Sequence, residues 1–337
     1  MAIKMTDVWQ AMDDISIYDK HTKTIDVFTP HAVTQIIGYL KHIYPDDFIV
    51  FRGQSGDYQS LQPSLYRPVK EKNSVCAPIM PDKRRSKKLK ELNSIKNALE
   101  ELGAFIPKTN SEFFEAIMQH YGFKTRYIDF VDNIWVALAF SILKSRQSLL
   151  RFVDDLLYFD SNEYGYIYVL SLGSIKDDVS NISITTKNYS IVDLRKCVPS
   201  LYLRPHSQHG ILVKKEIINK RTKKRDELRG ITMDTEMIND LIVTIKIKKA
   251  TILKWINNSR ILTPEFLFPS MYFDPGYSTI TSKEIDKIYE ALIKDGALKY
   301  SSSGAVCNHF GCPKIYSYET NGSDFSDYEA TKALRPS

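Results

Sequence analysis

Nothing in this sequence approaches the roughly 18 consecutive apolar residues that a membrane-spanning helix needs. The longest apolar body, Ile134 to Leu143, is far too short, which predicts no membrane partner. The opening residues, MAIKMTDVWQAMDD, lack the apolar core of a secretory signal. Cysteine is scarce: four, at positions 76, 197, 307 and 312, are too few and too scattered among 337 residues to staple a disulfide scaffold. These absences predict a reducing, cytoplasmic setting. A strong charge of one sign is missing as well. Forty-six basic residues against 40 acidic ones leave a net charge of +6, a mild excess that does not by itself require a nucleic-acid partner.

Familiar catalytic signatures are absent too. There is no G-x-x-x-x-G-K-[ST], no G-x-G-x-x-G, no H-E-x-x-H and no G-x-S-x-G, which argues against a P-loop NTPase, a Rossmann dehydrogenase, a zincin protease and an α/β-hydrolase. Cys307-Asn308-His309-Phe310-Gly311-Cys312 offers two thiolates and an imidazole, but no second Cys/His pair follows. A small loop with unligated thiols is the simpler reading, and no metal is expected.

What the chain does have is apolar content. Forty-three per cent apolar and 12% aromatic residues suffice for a sizeable core. The stretch from Glu112 to Leu143 organises it. Ser111 is a candidate N-cap, Phe113, Phe114, Ile117, Met118 and Tyr121 fall at helical spacing, and Gly122 stands where a helix ends. Thr125 to Phe130 reads as extended, and Asp132 or Asn133 caps a buried helix over Ile134 to Leu143.

Around this stretch, a helix opens at Thr29-Pro30 with Val33, Ile36, Ile37 and Leu40 inward. Strands are expected at Phe48 to Phe51, Gly165 to Leu170, Ile211 to Val213 and Leu241 to Ile247, the last with one solvated face. KRRSKKLK, from Lys83 to Lys90, holds six basic residues in eight and reads as an exposed loop before a helix near Leu89 to Leu102. Such a run is either a solvated face or a contact for an acidic partner. Lys214 to Arg229 forms a second basic, turn-prone patch. Thr281-Ser282-Lys283-Glu284 is a capping box for a helix ending at Gly296. The expected organisation is an N-terminal helical segment over 1–47, a main domain over 48–280 with basic insertions near 68–110 and 214–230, and a C-terminal helix and tail over 281–337.

Polar residues gather at the joints of the central stretch: Gln119 and His120, then Thr125, Arg126 and Asp129. Arg52 and Gly53 lie at the end of one strand, and Gln208 and Gly210 open another. An arginine at a strand end needs a carboxylate or a ligand phosphate. Asp129 would serve as the first, and a pyrophosphate gripped by the guanidinium fork as the second. Asp129 and Arg126 also suit a structural pair in a tight loop.

FRGQ at 51–54, LQPSLYR at 61–67, QHYGFKTRYIDFVDNIWVALAFS at 119–141, QHGILV at 208–213 and LFPSMYFDPGY at 267–277 resemble the FRG domain in order and spacing. FRG domains occur in bacteria and phages, and the resemblance implies a toxin or a phage–host conflict protein. Its motif layout is similar to that of the ADP-ribosyltransferase fold. That likeness implies an α+β protein with a mixed, mainly antiparallel split sheet around a cleft, flanked by helices. It implies NAD as ligand, Arg52 and Gly53 at the pyrophosphate, Gln119, His120, Thr125 and Arg126 lining the pocket, and Asp129 with Gln208 at the ribose. The acceptor would be a protein or a nucleic acid. This sequence departs from that pattern: Thr125-Arg126-Tyr127 replaces S-T-S, and no E-x-E lies near Gln208. A glutamine is not a general base, and Glu216 follows two lysines, which leaves Asp129 as the carboxylate. The alternative is a non-catalytic module that binds a nucleotide or nucleic acid.

Overall fold

The apolar run Phe48-Ile49-Val50-Phe51 nucleates a strand over Asp47–Gln54 whose residues are all buried or half-buried, and the sheet grows outward from it. The computed structural model describes residues 16–19, 21–57, 60–61, 63–66, 82–101, 103–105, 111–146, 156–159, 163–174, 183–185, 189–218, 225–227, 231–232, 241–270, 272–280, 298–299 and 306–307. Their contacts divide the chain into one unit of residues 1–148 and 154–283 and a second of 149–153 and 284–337. In the second unit, strands Leu298–Lys299 and Val306–Cys307 pair antiparallel. The capping box at 281–284 with its helix, and His309 and Cys312, lie outside the described residues. Among the described residues no group of three His, Cys, Asp or Glu is placed to hold a metal ion. None of their helices is long and apolar enough to cross a membrane.

Among the described residues, the main sheet of the first unit has ten strands: β1 (Ser16–Asp19), β2 (Thr24–Val27), β3 (Asp47–Gln54), β4 (Ile128–Val131), β5 (Tyr164–Ser174), β6 (Ser183–Thr185), β7 (Tyr189–Asp193), β8 (Gly210–Ile218), β9 (Arg225–Glu227) and β10 (Leu241–Lys248). Their spatial order is β1-β2-β10-β5-β3-β4-β8-β7-β6, with β9 paired to β8. Only β2 and β10 run parallel, so the sheet is mixed and mainly antiparallel, as expected. β3 shares seven register pairs with β5, from Asp47↔Ser174 to Gln54↔Tyr166. It meets β4 at the single pair Phe51↔Val131. One rung therefore joins two half-sheets.

One face of the first half carries Ile25, Ile49, Phe51, Ile167, Val169 and Val243, packed under helices α1 (Pro30–Ile43), α4 (Ile134–Ile142) and α7 (Lys249–Ile256). The same face of the second half, through Val192 and Leu212, packs under α2 (Asp82–Glu101), α3 (Phe114–His120) and the turn Ser64–Tyr66. The opposite face forms one cluster shared by both halves, with Val50, Phe130, Tyr168 and Ile211. Two shorter helices, α5 (Leu194–Cys197) and α6 (Leu203–Ser207), precede β8, and α8 (Pro264–Leu267) follows α7.

Several expectations are corrected. The basic run is not a loop: α2 starts at Asp82 and takes in Lys83 to Lys90, because Leu92 and Leu99 anchor a longer helix in the core. Ser111 begins a 3-10 turn rather than capping α3, whose cap, Phe113, makes no side-chain hydrogen bond. The cap of α4 is, as expected, one of the two candidates, Asn133, which accepts from the Trp135 and Val136 amides. Strand β10 has no solvated face over Leu241 to Ile245, since it lies inside the sheet between β2 and β5. The strand at Ile211 runs on to Ile218 and pairs with β9 inside the second basic patch.

Gly53 shows how tightly α4 is laid on the sheet. A Cβ there would stand 1.9 Å from the Ala137 carbonyl oxygen and 2.7 Å from the Ser141 amide nitrogen, both helix backbone. Gly53→Ala is expected to destabilise the protein by about 3 kcal/mol or more, the upper end for overpacking, measured by chemical denaturation. A loss of a few tenths would mean that α4 can slide away.

Candidate functional site

Where β3 and β4 part, a side chain replaces the ladder. The Asp129 carbonyl, two residues from the single rung, accepts from Arg52 Nη1 at 2.5 Å. Arg52 follows Phe51, whose ring lies in the core under α4, so its side chain leaves from the other face and turns into the gap. A buried carbonyl left without a ladder partner would be costly, and the guanidinium removes that cost. The arginine thus finds Asp129, but through the backbone rather than the carboxylate.

The Asp129 carboxylate points towards α3 and stays 41% exposed. Its Oδ2 accepts from Gln119 Nε2 at 2.8 Å. A carboxylate only accepts, so the Gln119 amide must turn its NH2 group this way. Its Oε1 then accepts a hydrogen bond from the Thr125 hydroxyl. Thr125 Oγ1 in turn accepts from the Tyr127 amide at 3.2 Å. Donor direction is fixed from backbone to carboxylate, which orients Asp129. Thr125 is itself clamped: Ser64 Oγ accepts from its amide at 3.1 Å, and its carbonyl accepts from the Leu65 amide at 3.1 Å. The LQPSLYR stretch supports the site by this route.

His120 stands on the other side of the carboxylate, its Nε2 3.7 Å from Asp129 Oδ1. That is too long for a hydrogen bond, and neither ring nitrogen has a hydrogen-bond partner of good geometry. The ring fits because Gly210 has no side chain: a Cβ there would lie 2.6 Å from His120 Cε1. Burial pushes the imidazole below its ordinary value, the Asp129 charge and the neighbouring Gln208 side chain pull back, and Arg204 adds to the lowering. His120 is therefore a neutral, buried imidazole facing an exposed carboxylate.

The other expected residues have different tasks. Arg126 is tied to Glu115 on α3, through its amide and Nε at 3.0 Å and Nη2 at 2.5 Å, and not to Asp129. Gln208 is buried, with Nε2 donating to the Leu267 carbonyl at 2.6 Å, which puts it behind His120 rather than on the open surface. The Glu216 side chain lies outside the described residues.

Sequence reasoning missed a neighbouring cluster. Asp274 has no solvent exposure, and its carboxylate accepts from the Tyr121 hydroxyl at 2.8 Å, the Tyr277 amide at 2.9 Å and the Arg204 amide at 3.1 Å. Burial raises its pKa while those donors lower it, and burial beside this charge pushes the Tyr121 phenol far up. The Arg204 guanidinium lies 3.7 Å from the Tyr277 ring centre. A second network joins Arg195 to Asp193 and Asp132 at 2.9 and 2.8 Å, with His209 Nδ1 3.4 Å from Asp132. Charged residues close to aromatics, Arg204 after Tyr202 and Asp274 after Tyr272 and Phe273, were the available signal.

The lowered His120 pKa gives a signed expectation. Below about pH 6.5 the unfolded chain takes up a proton that the folded one resists, so this residue's contribution to stability falls as pH falls. His120→Asn should reduce the loss of unfolding free energy between about pH 7.5 and about pH 5 relative to the parent, read from urea melts. Equal losses would mean that the folded protein protonates His120 as readily as the unfolded chain does.

Comparison with known proteins gives one family. The model of the FRG domain matches residues 47–149, which span β3, the Ser64–Tyr66 turn, α2, α3, β4 and α4. No curated protein and no solved structure matches the chain. The motifs at 208–213 and 267–277 lie beyond the matched residues but pack on them, through Gly210 against His120 and Asp274 against Tyr121. The Arg52, Gln119, His120 and Asp129 cluster thus falls wholly within the matched segment, and residues 47–149 of this chain are an FRG domain.

Proposed function

We propose that this FRG-domain protein is an NAD-consuming enzyme of the ADP-ribosyltransferase kind, with Asp129 as its catalytic carboxylate. One observation carries the reading: at the gap between the half-sheets, a solvent-open carboxylate is held by Gln119 and faces a neutral imidazole. Cleavage of the nicotinamide–ribose bond sends its electron pair to the ring nitrogen, which cancels the pyridinium charge. Positive charge develops on the ribose, where a fixed carboxylate stabilises it. An acceptor nucleophile then bonds the same carbon and gives up its proton, with Asp129 as the receiving base.

Arg52, in the gap, brings a cationic fork suited to the pyrophosphate. Gln119, Thr125 and His120 are positioning residues: they orient Asp129 and, in the case of His120, close its inner side without adding charge. Gln208 braces His120 in this reading and does not reach the ribose. An enzyme of this kind would act as a toxin or in conflict between phage and host, either by modifying an acceptor or by draining NAD.

The test is nicotinamide release from NAD by the purified chain, with cell extract supplying acceptors. Asp129→Asn is expected to lower release about 10²–10³-fold, and Arg52→Ala to weaken NAD binding. Thr125→Ser should keep most activity and Thr125→Val lose it, since only the former preserves the hydroxyl relay. No release from the parent protein, or undiminished release from Asp129→Asn, overturns the proposal.

A further inference from the structure

The Asp129 site makes no use of a strongly charged surface beside it, the N-terminal half of α2. Arg84, Lys87 and Lys90 are exposed there, and Lys88 is half-buried. Lys124, exposed on the loop that leads to Thr125, comes from a different element. Burial, then Lys124 and Arg84, hold Lys88 below its ordinary value, and Glu91 alone pulls the other way. Among the described residues, none of these five cations enters an ion pair.

This arrangement works against the helix that bears it. Like charges four residues apart, as at 84 and 88, destabilise a helix by tenths of a kcal/mol. Cations in the first turns also oppose the helix dipole. What holds α2 in place is its other side, where Leu92 and Leu99 enter the core with Leu65, Tyr66 and Phe113. The charged side contributes nothing to that packing. It is a mainly repulsive cluster, relieved only by Glu91, and it gathers cations from two elements.

We propose that Arg84, Lys87, Lys88, Lys90 and Lys124 form a docking surface for the phosphate backbone of a nucleic acid. Arg84 to Lys90 covers about 9 Å of helix, room for two or three phosphates of one strand at about 3.4 Å each. A lipid surface fits less well. Interfacial helices bury an apolar face in the membrane, whereas that of α2 is spent on the core and none of the exposed large apolar residues lies on it. An acidic protein partner fits less well too, since no aromatic anchor stands among the cations. The surface goes beyond the reading of Asp129 and does not depend on NAD being the substrate.

The experiment is fluorescence anisotropy of a labelled oligonucleotide of about 20 nucleotides, single-stranded and as duplex, titrated with the full chain over a range of salt. Binding is expected at low salt, with log K falling linearly in log salt. Lys87→Gln, Lys88→Gln and Lys90→Gln combined should make that slope shallower by about 2 and weaken binding at least tenfold near about 0.1 M salt. Lys41→Gln, Lys248→Gln and Lys254→Gln combined remove the same charge elsewhere and should leave the slope unchanged. Circular dichroism melts check that both variants are folded. No binding of either oligonucleotide overturns the proposal, as does equal loss in the two variants. Capture by phosphatidylserine vesicles without oligonucleotide binding would overturn it in favour of a lipid surface. No step needs turnover, so failure of the Asp129 reading leaves this measurement intact.

Discussion

A carboxylate sealed from water holds the molecule's central joint. Asp274 is ionisable, fully covered and more than 150 residues from Tyr121 along the chain, yet it accepts from that hydroxyl and from two backbone amides. A buried carboxylate is tolerable only when such donors surround it, so the loop carrying Asp274, the end of α3 and the start of α6 have to meet. Gly276 lets this happen, because a Cβ there would sit 2.1 Å from the Tyr202 ring. The position of His120, next in sequence to Tyr121, follows from this fastening. Its imidazole lies on Gly210 because the segments on either side are already pinned.

Five sequence motifs therefore converge on one short helix end. The first brings Arg52 to the Asp129 carbonyl, and the second clamps Thr125 from both sides of its backbone. The third supplies Gln119, His120 and Asp129 themselves, the fourth makes room for the ring, and the fifth closes the back with Asp274. Most of these residues are fasteners. Among them Asp129 is left as an oriented, solvent-open carboxylate, and that economy supports the proposal that it, and not the more numerous cations and amides around it, would carry chemistry.

Periodic patterns made much of this legible. The α1 stripe, the apolar α4 body and the strands at 48–51, 165–170 and 211–213 are where alternation and helical spacing put them. The failures have physical causes. Exposure of β10 depends on which strands flank it, and that is set by sheet order rather than by its own sequence. The extent of α2 was hidden because two leucines seven residues apart outweigh an unfavourable charge run. At the site, residue types were readable but pairings were not: Arg126 had two carboxylates within reach along the chain, Glu115 and Asp129, and only the direction of α3 decides for Glu115. Arg52 was expected to meet a side chain or a phosphate, whereas it donates to a main-chain oxygen, that of Asp129.

The single rung between the half-sheets bears on what counts as a folding unit. Residues 47–149 carry only two of the ten strands, β3 and β4, and these touch each other at one pair. Their long ladders run to β5 and β8, which lie later in the chain. Excised at the boundaries of the family match, the segment would present two bare strand edges and half a core to water, a recipe for aggregation. Evolution can recognise and copy this stretch as a signature, but the physical domain that keeps it folded is more than twice as long.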